Sequence, residues 1–272
     1  MSKYHTRVLT GLTLVLIASL VVASNYGVFV PGTYARDSAS MGTQGMGQDA
    51  FDLFFVTPLL AVLLFFALRG NRIAWLLYVG TLFYVVYSFV IYGFGVHFNQ
   101  MFLVYCLVLG TSFYAFALSV YETGRMRVSE WFDDRPPLRA TAIYFLVIAA
   151  LFYSLWLKDV LPALFAGSVP ATVRDNDLLV NPVHVLDMAI ALPGVIGTAV
   201  LLLRRHPLGY LFAPMFLVFL ILLALAIIAM VVALKVKGVS EDTSLTAVFG
   251  VLVVISGIFL FRFLRAIQPG DT

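Results

Sequence analysis

Charged side chains are scarce in this chain. Asp, Glu, Lys and Arg together make up 11% of its 272 residues, against roughly 25% in a soluble domain. That excludes an ordinary water-soluble enzyme, and it excludes coil-like disorder, which needs charge and few apolar groups. Cysteine is nearly absent: Cys106 stands alone inside an apolar run, so no intrachain disulfide can form and the redox compartment is unspecified. No stripe of basic residues follows a helix face or a loop, so the net charge of +3 does not signal a nucleic-acid partner. No HExxH, HxH or cysteine-pair metal signature occurs, and the glycines at 42, 45 and 47 have neither a preceding strand nor a following GK[ST], which excludes a phosphate loop.

Apolar side chains are present in surplus. They amount to 62% of the residues, and the mean hydropathy is +1.00. Only a lipid bilayer solvates so much apolar surface, so the composition describes a polytopic membrane protein. Eight apolar segments are close to the roughly 20 residues a helix needs to cross the hydrocarbon core. They are Val8–Val30, Asp52–Leu68, Ile73–Phe94, Met101–Val120, Ala140–Leu157, Val183–Leu203, Gly209–Leu234 and Leu245–Phe261. The fold class expected is therefore an all-α membrane protein of eight transmembrane helices. The first segment also reads as a signal peptide, with a basic start and Val21-Val22-Ala23 as a cleavage site, but it is long for that role.

The positive charges orient the spans. An N-terminus in the cytoplasm puts Lys3, Arg7, Arg69, Arg72, Arg125, Arg127, Arg135, Arg139, Arg204, Arg205, Arg262 and Arg265 inside, 12 of the 17 basic residues. Arg36, Lys158, Arg174, Lys235 and Lys237 stay outside. The positive-inside bias thus predicts both termini in the cytoplasm.

The chain also resembles itself. A shift of 135 residues (187 − 52) carries Asp52 onto Asp187, Pro58 onto Pro193 and Arg69 onto Arg204 without a gap. The stretches compared are DLFFVTPLLAVLLFFALR and DMAIALPGVIGTAVLLLR. Apolar runs align with each other cheaply, but here the rare residues match. The pattern predicts two parallel four-helix halves, residues 1–122 and 140–272, joined by a linker at 123–139. Halves with an even span count share one orientation, so their pseudo-twofold axis would run along the membrane normal.

Ionisable residues at membrane depth are expensive and raise functional hypotheses. Asp49 and Asp52 sit i, i+3 at the start of the second span, and His184 and Asp187 do the same at the sixth, which places each pair on one helix face. His97 and Asn99, between the third and fourth spans, lie at the same outer level. Three readings compete. Asp49 and Asn181 can cap helix N-termini, and Asp52 or Asp187 can complement a helix dipole in the first turn. His97, His184 and Asp187 can hold zinc or another divalent metal, or the two histidines can be axial ligands to haem. Or the set lines an outward-facing polar pocket for a small molecule or an ion, with His184 and Asp187 as an acid–base pair. Tyr84, Tyr87 and Tyr105 are the expected lining of such a cavity, with interhelical hydrogen bonding as their plain alternative. The outer segment Pro31–Gly47, rich in Gly, Ser and Met, reads as a linker or a lid.

The strings GQD, YGFGVHFN, NPVHVLD and RRHPLGY, spread from the outer loop at Tyr34 to the seventh span, resemble a group of uncharacterised bacterial multi-pass inner-membrane proteins. The resemblance implies a bacterial inner-membrane placement and transfers no catalytic role. Transport, membrane-embedded catalysis at the outer leaflet, and a structural or accessory role stay open at this point, with the lipid bilayer as the one partner the composition requires.

The topology has a direct test. A reporter that is active only in the periplasm, fused after Thr272, should be silent, while a cytoplasmic reporter at the same place should be active.

Overall fold

The structure is a computed structural model that describes residues 2–133, 136–240 and 242–268. Among these, eight helices are long and apolar enough to cross a membrane: α1 Lys3–Phe29, α2 Ala39–Leu68, α3 Arg72–Gly95, α4 Phe102–Arg125, α5 Leu138–Ala166, α6 Pro182–Leu203, α7 Pro207–Val236 and α8 Ser244–Leu264. All eight expected spans are present. Arg135, one of the charges used for orientation, lies outside the described residues.

The bundle has two chemically distinct ends. The turns between α2 and α3 and between α6 and α7 carry Arg69, Arg72, Arg204 and Arg205, as do the ends of α4 and α8 with Arg125 and Arg262. The opposite end carries Asp37, Asp175 and Asp177 in its turns and Asp159 in the last turns of α5, beside Arg36, Lys158, Arg174, Lys235 and Lys237. We refer to these as the arginine end and the acidic end. At the arginine end, the segment after α4 is clamped to the end of α8. The Asp133 amide donates to the Ala266 carbonyl at 2.9 Å and the Gln268 amide to the Trp131 carbonyl at 2.8 Å.

Burial ranks the helices. In the most apolar window of α3, 72% of the residues are buried, against 11% in α8. Thus α3 is the centre of the bundle, and α8 turns most of its surface to the surroundings. Close crossings need small residues. A Cβ added at Gly80 of α3 would lie 2.6 Å from Val218 Cβ and 3.0 Å from the Met215 carbonyl of α7, so these two helices touch nearly backbone to backbone.

The second span differs from its expectation. It begins at Ala39, not at Asp52, with Ser38 as N-cap, its Oγ accepting from the Met41 amide at 3.1 Å. Glycine is a poor helix former in water, which is why the stretch reads as a linker. Here the missing side chains create contact surface. Gly42 and Gly45 lie against Tyr34, and a Cβ at Gly47 would be 2.7 Å from Met230 Cα of α7. Similarly α5 runs on to Ala166 through Lys158, Asp159 and Pro162.

The two acid-to-arginine stretches share their local form. Each opens with a π-helical segment, Asp52–Val56 in α2 and Asp187–Ala191 in α6. Proline causes it. Pro58 and Pro193 have no N–H and would clash with the carbonyl four residues back in a regular helix. Widening the turn relieves the clash, and the Thr57 and Leu192 amides then reach back five residues to the Asp52 and Asp187 carbonyls. In α6 this leaves the Met188 carbonyl without its usual amide, and Tyr153 of α5 donates to it at 3.0 Å. Both stretches end in the same turn. Gly70 (φ +85°) and Arg205 (φ 52°) are left-handed, and Asn71 and His206 return an amide to the carbonyls of Phe66 and Leu201 at 3.1 and 2.9 Å. Asn71 and His206 then cap α3 and α7 with their side chains.

The packing at Gly47 is testable. Gly47→Ala should lower the melting temperature of the purified protein, since overpacking against backbone typically costs about 1–3 kcal/mol, whereas Gly93→Ala, with open space around its Cβ position, should leave it within a degree or two of the parent.

Candidate functional site

The extended α2 changes the standing of its acids. Asp52 lies about 20 Å along the helix from Ala39, at a rise of about 1.5 Å per residue. Asp49 and Asp52 are therefore interior residues, and capping falls to Ser38. In α6, Asn181 is the N-cap, its Oδ1 accepting from the Val183 amide at 3.0 Å, and Asp187 stands beyond the first turn. The capping reading is thus corrected for Asp49, because Ser38 holds the cap, and the first-turn reading for Asp52 and Asp187, because both stand beyond the first turn.

All three carboxylates are buried, with Asp49 at 0%, Asp52 at 1% and Asp187 at 5% exposure. Neutral donors surround each of them. Tyr84 Oη donates to Asp52 Oδ1 at 2.9 Å, and Gln48 Nε2 lies 3.4 Å from Oδ2. Gln48 Nε2 also donates to Tyr84 Oη at 2.7 Å. Asp187 accepts from Tyr87 Oη and from Trp156 Nε1, each at 2.8 Å. Asp49 accepts from Tyr92 Oη at 3.1 Å and from the phenol of Tyr34. Gly27 of α1 makes the room for it, because a Cβ there would overlap the Asp49 carboxylate. Tyr34 belongs to the turn before α2. Burial first, then the Asp49 carboxylate, hold its phenol well above the usual tyrosine range, so it stays a donor at any physiological pH.

Helix α3 thus serves all three acids, through Tyr84, Tyr87 and Tyr92. Tyr84 and Tyr87 are three residues apart, so they leave α3 on neighbouring lines, one toward α2 and one toward α6. The third tyrosine expected at a cavity, Tyr105 of α4, is 2% exposed. It stacks edge-on against Tyr92 with ring centroids 5.1 Å apart and receives Asn99 Nδ2 at 3.3 Å. Asn99 Oδ1 also accepts from the Met101 amide at 2.9 Å, so this residue organises the turn before α4.

The two histidines have separate surroundings. His97 meets Asp37 through its backbone amide at 2.9 Å and its Nδ1 at 3.0 Å, and its Nε2 lies 3.6 Å from the exposed Asp177. His184 is 5% exposed and lies against Trp156, with ring centroids 4.5 Å apart; its Nε2 is buried without a hydrogen-bond partner among the described residues. Among the described residues, no group of three or more His, Cys, Asp or Glu side chains is placed to hold a metal ion. This corrects the expectation that His97, His184 and Asp187 form a metal set, because Asp37 occupies the first imidazole and Tyr87 and Trp156 occupy the carboxylate. Asp187 spends its oxygens on Tyr87 and Trp156, and no hydrogen bond joins it to His184.

A cavity of about 250 Å³ opens at the acidic end between α2, α3, α6 and the turn that precedes α6. Its polar lining consists of amides and hydroxyls: Gln44, Gln48, Ser88, Tyr92, Thr172, Asn176 and Asn181. Among the described residues, no charged side chain lines it. Gln48 is a link between cavity and acid, facing the cavity and reaching Tyr84 and Asp52 behind it. Sequence reasoning missed Trp156, which carries no signal of its partner; the position of Gln48, i−4 from Asp52 on the same helix face, is the signal that ties it to that acid.

No family model, curated protein or solved structure matches this chain.

The buried acids make a paired prediction. Tyr84→Phe removes the donor to Asp52 and should destabilise the protein by about 1–3 kcal/mol, the cost of leaving a buried polar group short of a partner. Asp52→Asn combined with Tyr84→Phe should recover part of that loss in chemical denaturation, because the remaining amide carries no charge.

Proposed function

We propose that this protein is a bacterial inner-membrane transporter with both termini in the cytoplasm, which takes a small, neutral, hydrogen-bonding molecule into the cavity at its acidic end. The observation that carries the reading is the junction of that uncharged cavity with buried carboxylates that have no cationic partner among the described residues. A cavity lined by amides and hydroxyls compensates polar, uncharged groups and leaves a charged ligand uncompensated. The carboxylates behind it have the opposite need. A negative charge in low dielectric is costly without a counter-ion, and a proton or a small cation at Asp52 relieves it. Gln48 touches both compartments, so a solute that engages Gln48 alters the donors of Asp52. That is a route for coupling solute to ion.

An internal duplication supports transport. Under the 135-residue shift (187 − 52), the matched residues of α2 and α6 agree in acid, π-turn, proline, terminal arginine and left-handed turn. Gly80 and Met215 match under the same shift, and they touch each other where α3 crosses α7. Equivalent positions meeting themselves is what a twofold axis produces. Two halves whose helices carry proline-linked π-turns beside a site at their junction suit alternating access. Catalysis draws less support, because His184 and Asp187 form no hydrogen-bonded pair.

A thermal-shift screen of the purified protein tests the reading. The probes are neutral sugars, polyols and amides beside carboxylic acids and amines, in sodium and in choline buffers. At least one neutral probe should stabilise the parent, and Gln48→Leu should abolish that shift. Stabilisation by charged probes alone, by none, or equally in the Gln48→Leu variant would sink the proposal.

A further inference from the structure

The mouth of the cavity is covered by a short segment that precedes α6. Residues Ala171–Arg174 form one helical turn, and the chain then passes through Asn176, Asp177 and Leu178 before the Asn181 cap. Thr172, Asn176 and Leu178 of this segment line the cavity from above, facing Met41 and Gln44 at the start of α2. On one side the segment is anchored within its own half, where Thr172 Oγ1 donates to Asp159 of α5 at 2.7 Å. On the other side it reaches residues that precede α2 and α4. Ser38 Oγ donates to Asn176 Oδ1 at 3.0 Å, and Asp177 Oδ2 lies 3.6 Å from His97 Nε2.

These two contacts, like the exposed Thr172–Asp159 bond, lie outside the buried polar network. Ser38 and His97 are only partly buried, and the Asp177 side chain is 93% exposed, so water competes for both contacts and they hold weakly. Asp177 is also left-handed, with φ 52°, a conformation that Asp tolerates better than most residues but that favours release when its partners let go. His97 is held on its other side by Asp37, through both its backbone amide and Nδ1. The ring is therefore a fixed post, and the moving part is the segment that carries Asn176 and Asp177.

The geometry points to a strap: residues 171–178 close the cavity, latched to Ser38 and His97, and admit solute when those two contacts open. This rests on the transport reading for its purpose but not for its test, which needs no solute.

The experiment follows access to the cavity in the full-length protein with Cys106→Ser as background. Ser88→Cys places a thiol in the cavity lining, and a membrane-impermeant thiol reagent reports how fast it is reached at one pH. Releasing the latch with Asn176→Ala and Asp177→Ala together should raise the labelling rate roughly three- to tenfold, the reach of two exposed polar contacts. Locking it with a disulfide between Ser38→Cys and Asn176→Cys should slow labelling by at least as much, and reductant should restore it. Should Ser88→Cys fail to fold, Ile91→Cys reports from the same cavity. A rate unchanged by both release and locking would overturn the strap, even if neutral solutes bind. Loss of solute binding with these rate changes intact would overturn the transport reading and leave the strap.

Discussion

Everything in this fold answers to one constraint: a polar group inside an apolar bundle must find its partner within the protein. Three carboxylates are buried between the helices, and tyrosine phenols meet all of them, with an indole and an amide completing two sets. That requirement explains why α3 is the central helix. It carries the phenols for α2 on one line and for α6 on the next, so it cannot turn to lipid without stranding these acids. It also explains the distribution of glycine. Gly27 leaves space for a carboxylate, Gly42 and Gly45 for the ring that caps it, and Gly47 for the approach of α7.

The prolines act through the same constraint. Each removes an amide from its helix, and the π-turn that follows redirects another to the carbonyl of the acid itself. The backbone and the side chain of Asp52 and of Asp187 are thus both engaged at the point where the helix is least regular. A change in the bonding of either carboxylate acts on a segment that already departs from α-geometry, which is where a membrane helix bends at least cost. In the proposed transport cycle, this is the element through which occupancy of the cavity reaches the rest of the bundle.

The cavity and the acids divide the chemistry between them. The cavity offers amides and hydroxyls, suited to a solute without charge, and the acids behind it have neutral donors on every side. Gln48 and Tyr92 are each engaged with both, the first through Asp52 and the second through Asp49. The histidines contribute elsewhere: His97 is a post at the acidic end for the segment over the cavity, and His184 packs on the indole that holds Asp187.

The number of spans and the membrane class follow from the sequence alone, because burial in lipid depends on composition and run length, which are local. The common spacing of acid, proline and arginine from Asp52 and from Asp187 was legible too, since rare residues stand out against apolar runs; the π-turns at those prolines were not. The start of α2 was not: Gly42, Gly45 and Gly47 break helices in water, and only the presence of Tyr34 and α7 beside them turns their bareness into contact. The partners of the buried groups were equally beyond the sequence. Tyr87 and Trp156 meet at Asp187 from helices far apart in the chain, and His97 and His184 share a depth in the sequence but not a neighbourhood. Depth is set by position along one helix. Neighbourhood is set by the rotation of each helix against the others, and tertiary packing alone decides that.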